Sequence, residues 1–188
     1  KRPRPMIDEK IIASWNGLAI SALSKAYQVL YEMRYLESAK RAAERIISSM
    51  WDGRRLRRTL YGDTATNEGT LEDYAYLAHG LLDLFESTFE PRFFRTAVEL
   101  AENMIDLFWD PKEHGFFYSV ENVGDISRIK YGNDNVMPSG NSVAALTLLR
   151  LYEYTGESRY LQLVEKTLQT FSTEISHTPT EYTTMLKA

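Results

Sequence analysis

Hydrophobic and polar positions along this chain fall into two alternating helical patterns. From Ala13 to Met33 apolar or small residues occupy every side (Leu18, Ala19, Ile20, Ala22, Leu23, Ala26, Val29, Leu30), the pattern of a helix enclosed by others. From Tyr35 to Met50 one stripe is apolar (Leu36, Ala39, Ala43, Ile46, Ile47, Met50) and the other charged (Glu37, Lys40, Arg41, Glu44, Arg45), which predicts a helix packed on one face only. The pair recurs as an inner helix over Leu71 to Phe89 with an outer one over Arg92 to Phe108. It recurs again over Asn141 to Tyr154 and Ser158 to Thr173. Short turns at Glu90-Pro91 and Thr155-Gly156-Glu157 make each pair antiparallel.

The register is close. Tyr35-Leu36, Ala39, Ala43, Ile47, Trp51 and Asp52 return 58 positions later as Phe93-Phe94, Ala97, Ala101, Ile105, Trp109 and Asp110, and Tyr160-Leu161 opens a third copy after 67 more. One hairpin cannot bury its own apolar face, so the repeat predicts an all-α architecture of stacked αα-hairpins, a solenoid or a closed ring. The returns between hairpins are longer. Residues 115–119 and 125–130 flank an Asn-Val-Gly turn and read as a small β-hairpin, and Arg55 to Tyr61 reads as a comparable strand. All returns fall at the end where the inner helices present their N-termini, which favour anions and polar oxygens, so a ligand site is expected there.

Composition narrows the class. Of 188 residues 44% are hydrophobic, enough for one core, and a net charge of -4 gives no general attraction to nucleic acid or anionic membrane. The absence of cysteine removes disulfides and thiolate chemistry and suits a cytoplasmic protein. Three scattered histidines (His79, His114, His177) form no metal constellation, and no cofactor is expected. Lys1 to Pro5 reads as a Pro-stiffened connector, and the apolar pattern from Tyr182 to Leu186 reads as the start of another element, so the chain is expected to be a fragment of a longer protein.

At the loop-rich end stand Arg4-Pro5-Met6-Ile7-Asp8-Glu9-Lys10 with Trp15-Asn16-Gly17-Leu18, then Leu71-Glu72-Asp73-Tyr74-Ala75, then Met137-Pro138-Ser139-Gly140-Asn141-Ser142-Val143-Ala144-Ala145. In this order they resemble the thioredoxin-domain-containing family related to spermatogenesis-associated protein 20 and the bacterial YyaL proteins. The resemblance implies that residues 1–188 are about half of an (α/α)6 toroid, similar in fold to six-hairpin glycosidases and N-acylglucosamine 2-epimerases. It also implies a thioredoxin-like domain in the intact chain. Met6 stands where that family's first motif has histidine, and Asp8-Glu9-Lys10 replaces Asp-Asp-Lys, so a role for that imidazole is not carried over. Fold transfers on such grounds; reaction does not.

Candidate chemistry follows from residue type. Glycosidic cleavage needs two carboxylates, and Glu72 and Asp73 at the start of an inner helix, with Asp8, Glu9 or Asp134 as partners, supply candidates. The structural alternative is acids complementing a helix dipole, worth about 0.3–1 kcal/mol, on which Asp73→Asn would leave folding nearly intact. Asn16, Asn141, Ser139 and Ser142 offer donors and acceptors to sugar hydroxyls, although Ser139 and Asn141 also suit helix capping. Trp15, Tyr74, Phe116, Phe117, Tyr118 and Tyr131 offer stacking platforms or ordinary core. His79 is either a pocket base or an i,i+4 partner of Asp83. Arg54-Arg55-Arg57-Arg58 reads as a solvated strand edge. The expected function is recognition or processing of a small polyhydroxylated, sugar-like ligand by acid/base chemistry (glycosidase- or epimerase-like). The alternative is a non-catalytic scaffold serving the attached thioredoxin-like domain. Apolar flanks at Ile20, Leu23, Tyr27, Leu30, Leu146, Leu149 and Tyr152 predict self-association of the piece.

Overall fold

A computed structural model describes residues 5, 7–120 and 128–188. Three helical hairpins stack in chain order: α1 (Ala13–Leu30) with α2 (Met33–Met50), α3 (Leu71–Thr88) with α4 (Pro91–Phe108), and α5 (Gly140–Thr155) with α6 (Ser158–Thr170). The central inner helix α3 packs against α1, α4 and α5. From Leu71 to Leu84 only Glu72 and His79 on it reach solvent, two turns apart on one face. Outer helices bury one stripe each, as Leu36, Ala39, Ala43, Ile46 and Met50 do in α2 and Phe93, Ala97, Leu100, Ala101, Met104 and Phe108 in α4.

Glycines decide how closely α1 and α3 approach. A Cβ on Gly17 would lie 2.5 Å from the Tyr76 carbonyl carbon, and one on Gly80 only 2.4 Å from the Gly17 oxygen. The two backbones are therefore in direct contact, which no other residue permits. The inner helices end alike, with Tyr31, Phe89 and Gly156 in the left-handed region, each donating its N–H to the carbonyl four residues back. The outer helices α2 and α4 also end alike: Trp51 bridges Leu56 and Trp109 bridges Phe116, and the carboxylates of Asp52 and Asp110 accept backbone N–H groups two and three residues on.

The structure departs from expectation in the returns and at the ends. The strand expected near Arg55 to Tyr61 is β2 (Arg57–Tyr61), but it is the middle strand of three. β1 (Ile11–Ile12) and β3 (Thr64–Glu68) pair antiparallel on either side; β1 meets only Thr59 and Leu60, Arg57 pairs with Glu68 of β3, and Arg54 and Arg55 precede the strand. Of the second expected β-hairpin, the described part shows Tyr118 donating its N–H to Ile129 O; its turn lies outside the described residues, as does Met6. Outer helix α6 stops at Thr170 and a separate α7 (Ser172–His177) follows. Tyr182 stands between two 3-10 turns, Pro179–Glu181 and Met185–Lys187, and packs with Met185 against Phe171. Of the expected flanks, Ile20 is buried while Leu30 remains exposed.

Candidate functional site

Leu71 donates its N–H to Tyr118 O at 3.0 Å, joining the N-terminus of α3 to the extended segment after α4. Beside this seam opens a cleft of about 620 Å³ lined by Glu72, Tyr118, Tyr131, Asn133, Asn135, Val136, Met137, Pro138 and Ser139. On the other side a second cleft of about 530 Å³ is lined by Arg55, Glu68, Gly69, Thr70, Ser119 and Val120. Tyr118 and Tyr131 meet edge to face with ring centres 5.8 Å apart. The 133–138 wall is held from behind. Tyr76 donates its hydroxyl to Pro138 O, and the Asp134 carboxylate accepts from Ser139 N (2.9 Å), Ser142 Oγ (3.1 Å) and Thr184 N (2.7 Å). Burial alone would raise the Asp134 pKa, but these donors outweigh it and hold the group below the ordinary carboxylate value.

The two neighbouring acids of α3 differ completely. Asp73 is fully buried and accepts from Ser14 N (2.9 Å), Thr70 N (2.9 Å), Thr70 Oγ1 (3.0 Å) and Arg58 (2.9 Å). It is the acidic half of a helix cap and one half of an ion pair that ties β2 to the start of α3. Glu72, one residue earlier and therefore rotated toward the cleft, has neither a hydrogen bond nor an ion pair among the described residues. Partial burial raises its pKa above the ordinary value; the nearby Arg58 opposes the shift and the Asp73 charge adds to it. A carboxyl so placed holds its proton more readily than a solvated one and can donate it.

The other expected site residues scatter. Tyr74 is core, its ring between Trp51 and Phe108 and its hydroxyl accepting Leu56 N–H, so it cannot reach a ligand. Asn141 is likewise fully buried: its side chain accepts Phe116 N–H and donates to Phe116 O and Tyr131 O, bracketing two extended segments. Ser139 lines the cleft but also caps α5 through Ser142 N. Phe117 lies under Arg128 and Lys130, with cation-to-ring distances of 4.2 and 4.9 Å. Asp8 is exposed and paired with Lys10 at 3.2 Å, Trp15 stands 58% exposed on α1, and the Asn16 amide donates to Ile12 O. His79 joins a charged cluster with Asp83, Arg150, Lys25 and Glu86. Sequence reasoning had not singled out Asn133, Asn135 and Val136; the Asn-Asp-Asn string ahead of an inner helix was the available signal. No group of metal-ligating side chains occurs among the described residues, and none of their helices is long and apolar enough to cross a membrane.

No protein-family model matches the chain. Human spermatogenesis-associated protein 20 is 35% identical over the whole of it, and the Caenorhabditis elegans protein B0495.5, itself uncharacterised, is 33% identical over 95% of it. The chain spans about a quarter of the length of these relatives (25% and 26%). Among solved structures it is similar to the GH76 α-mannanase BT2949 of Bacteroides thetaiotaomicron (18% identity, 90% of this chain and 47% of that one, TM-score 0.68). It is similar also to the cellobiose 2-epimerase of Spirochaeta thermophila (16% identity, 88% and 44%, TM-score 0.69). A further neighbour is an inactive variant of a Salegentibacter GH76 α-1,6-mannanase with two consecutive aspartates changed to asparagine, in complex with α-1,6-mannotriose (16% identity, 85% and 46%, TM-score 0.69). These likenesses fix the fold as about half of an α/α toroid. Across its whole length, then, the chain is similar to a segment of spermatogenesis-associated protein 20 and its relatives and bears the six-hairpin glycosidase-like fold.

Proposed function

We propose that the cleft between α3 and the 131–139 segment receives a sugar-like polyhydroxylated ligand, and that Glu72 is the carboxyl placed to carry proton transfer to it. The observation that carries the reading is the Glu72 carboxyl itself: half-buried, unpartnered among the described residues, and facing a cleft with two tyrosine rings and amide side chains. Rings supply flat faces for sugar C–H groups, and amides match hydroxyls as donor and acceptor. The GH76 and epimerase neighbours support the ligand class.

Hydrolysis needs a second carboxylate within about 5–9.5 Å of the first, and among the described residues that line this cleft Glu72 is the only one. Recognition, or a proton transfer served by a single acid such as an epimerisation step, therefore fits these residues better than hydrolysis does. Asp73, Asp8 and Asp134 are each committed to structural partners, which favours a second reading: a non-catalytic scaffold attached to a thioredoxin-like domain in the intact protein. A calorimetric screen of mono- and disaccharides tests the first reading. Saccharide binding that is weakened by Tyr131→Ala and kept by Glu72→Gln, with any turnover lost in Glu72→Gln, supports it; no binding at millimolar concentration leaves the scaffold.

A further inference from the structure

The two clefts adjoin along one seam. Thr70, Leu71 and Glu72 form one bank and Tyr118 and Ser119 the other, with Thr70 and Ser119 facing the second cleft and Glu72 and Tyr118 the first. Their chemistry differs. The first offers tyrosines, amides and a carboxyl whose pKa burial raises, whereas the second is lined by Arg55 and Glu68.

The carboxylates near Arg54, Arg55, Arg57 and Arg58 are already engaged. Asp73 holds Arg58 at 2.9 Å, Glu68 is bonded to Arg57, and Asp52 accepts the backbone N–H groups of Arg54 and Arg55. Arg55 itself lines the second cleft, is 43% exposed, and meets a carboxylate only at 3.9 Å, on the Glu68 already bonded to Arg57. Its guanidinium makes no hydrogen bond to a described residue. A cation on a cleft wall, without a full partner, is suited to a tetrahedral or planar oxyanion.

We propose that the two clefts form one elongated site for an anionic sugar, with the ring beside Glu72, Tyr118 and Tyr131 and a phosphate or carboxylate group on Arg55. The inference rests on the carbohydrate reading above and narrows it to charged saccharides. Titration calorimetry on the purified protein with glucose, glucose 6-phosphate, glucuronate and inorganic phosphate tests it, using wild type and Arg55→Gln. Either anionic sugar should bind at least about tenfold tighter than glucose, one charge-assisted hydrogen bond's worth, with the advantage falling as salt is added and vanishing in Arg55→Gln. The stronger of the two distinguishes a phosphate from a carboxylate site. Equal binding of neutral and anionic sugars, or an advantage that survives Arg55→Gln, overturns the inference while the carbohydrate reading stands. Binding of phosphate with no gain from an attached sugar overturns both. Because Arg55 is a half-exposed side chain, circular dichroism of Arg55→Gln should match wild type, and a loss of binding then reports the site.

Discussion

Glu72 and Asp73 are chemically near-equivalent neighbours on one helix, and about 100° of helical rotation gives them opposite fates. Asp73 points inward to four donors, so the expectation that Asp73→Asn would be nearly silent for folding gives way. Removing one partner of a buried ion pair costs about 3–5 kcal/mol because the other charge is left uncompensated. Asp73→Ala should fall in that range by urea unfolding, and Arg58→Ala, whose guanidinium is 29% exposed, toward its lower end. Losses below about 1 kcal/mol would place the pair among ordinary surface contacts. Glu72 carries the opposite sign. Its folded pKa is raised, so ionising it above about pH 4.5 disfavours the native state, and Glu72→Gln should raise Tm at pH 7, by about 2 °C if the gain approaches 1 kcal/mol. No such gain, or one equally large at pH 3, would show that the carboxyl is not strained by its site. The sequence presented both acids at the start of a helix but not which one faces Arg58, since that partner sits on a strand whose neighbours were not predicted.

At the scale of elements, the apolar periodicity located all three hairpins to within a few residues, because buried and exposed stripes are what helix packing demands of a sequence. The close α1–α3 crossing was less legible. Gly17 sat within a quoted motif and Gly80 within an apolar run, yet only their spatial apposition reveals that each excludes a Cβ. Gly80→Ala should destabilise the protein by about 1–3 kcal/mol or more through overpacking against the Gly17 carbonyl, where an unconstrained helical glycine would gain about 0.5–1 kcal/mol from alanine. A stabilising Gly80→Ala, measured by thermal unfolding, would mean the helices separate without cost. Sequence also missed β3, whose Thr-Ala-Thr-Asn-Glu pattern is short and barely apolar. It did not predict the order of the three strands, because strand order is a tertiary property that local pattern does not encode.

For the whole molecule, one charged network binds the three inner helices together at the end away from the cleft. Asp83 of α3 meets Lys25 of α1 at 3.1 Å and Arg150 of α5 at 2.9 Å, with Glu86 bonded to both cations and His79 alongside. Burial lowers the His79 pKa to about 4; Arg150 and Lys25 act in the same direction and Asp83 and Glu86 against it. The unfolded chain therefore takes up the proton first, and stability should fall as pH drops from about 6.5 toward 4. Below about 4.5 Glu86 and Asp110, whose pKa values lie near 2, add to the same slope. Thermal unfolding of His79→Gln should show a flatter slope between pH 6.5 and 4.5, and an unchanged one would contradict the assignment.

The central claim is that the Glu72 cleft receives a saccharide, and amide chemical-shift mapping by NMR tests it most directly. Titration with neutral and anionic saccharides should perturb Glu72, Tyr118, Tyr131 and Asn135 together, with anionic ones adding Arg55 and Thr70. Saturating millimolar titrations that leave those amides unmoved, or that perturb the His79–Arg150 end instead, would contradict it.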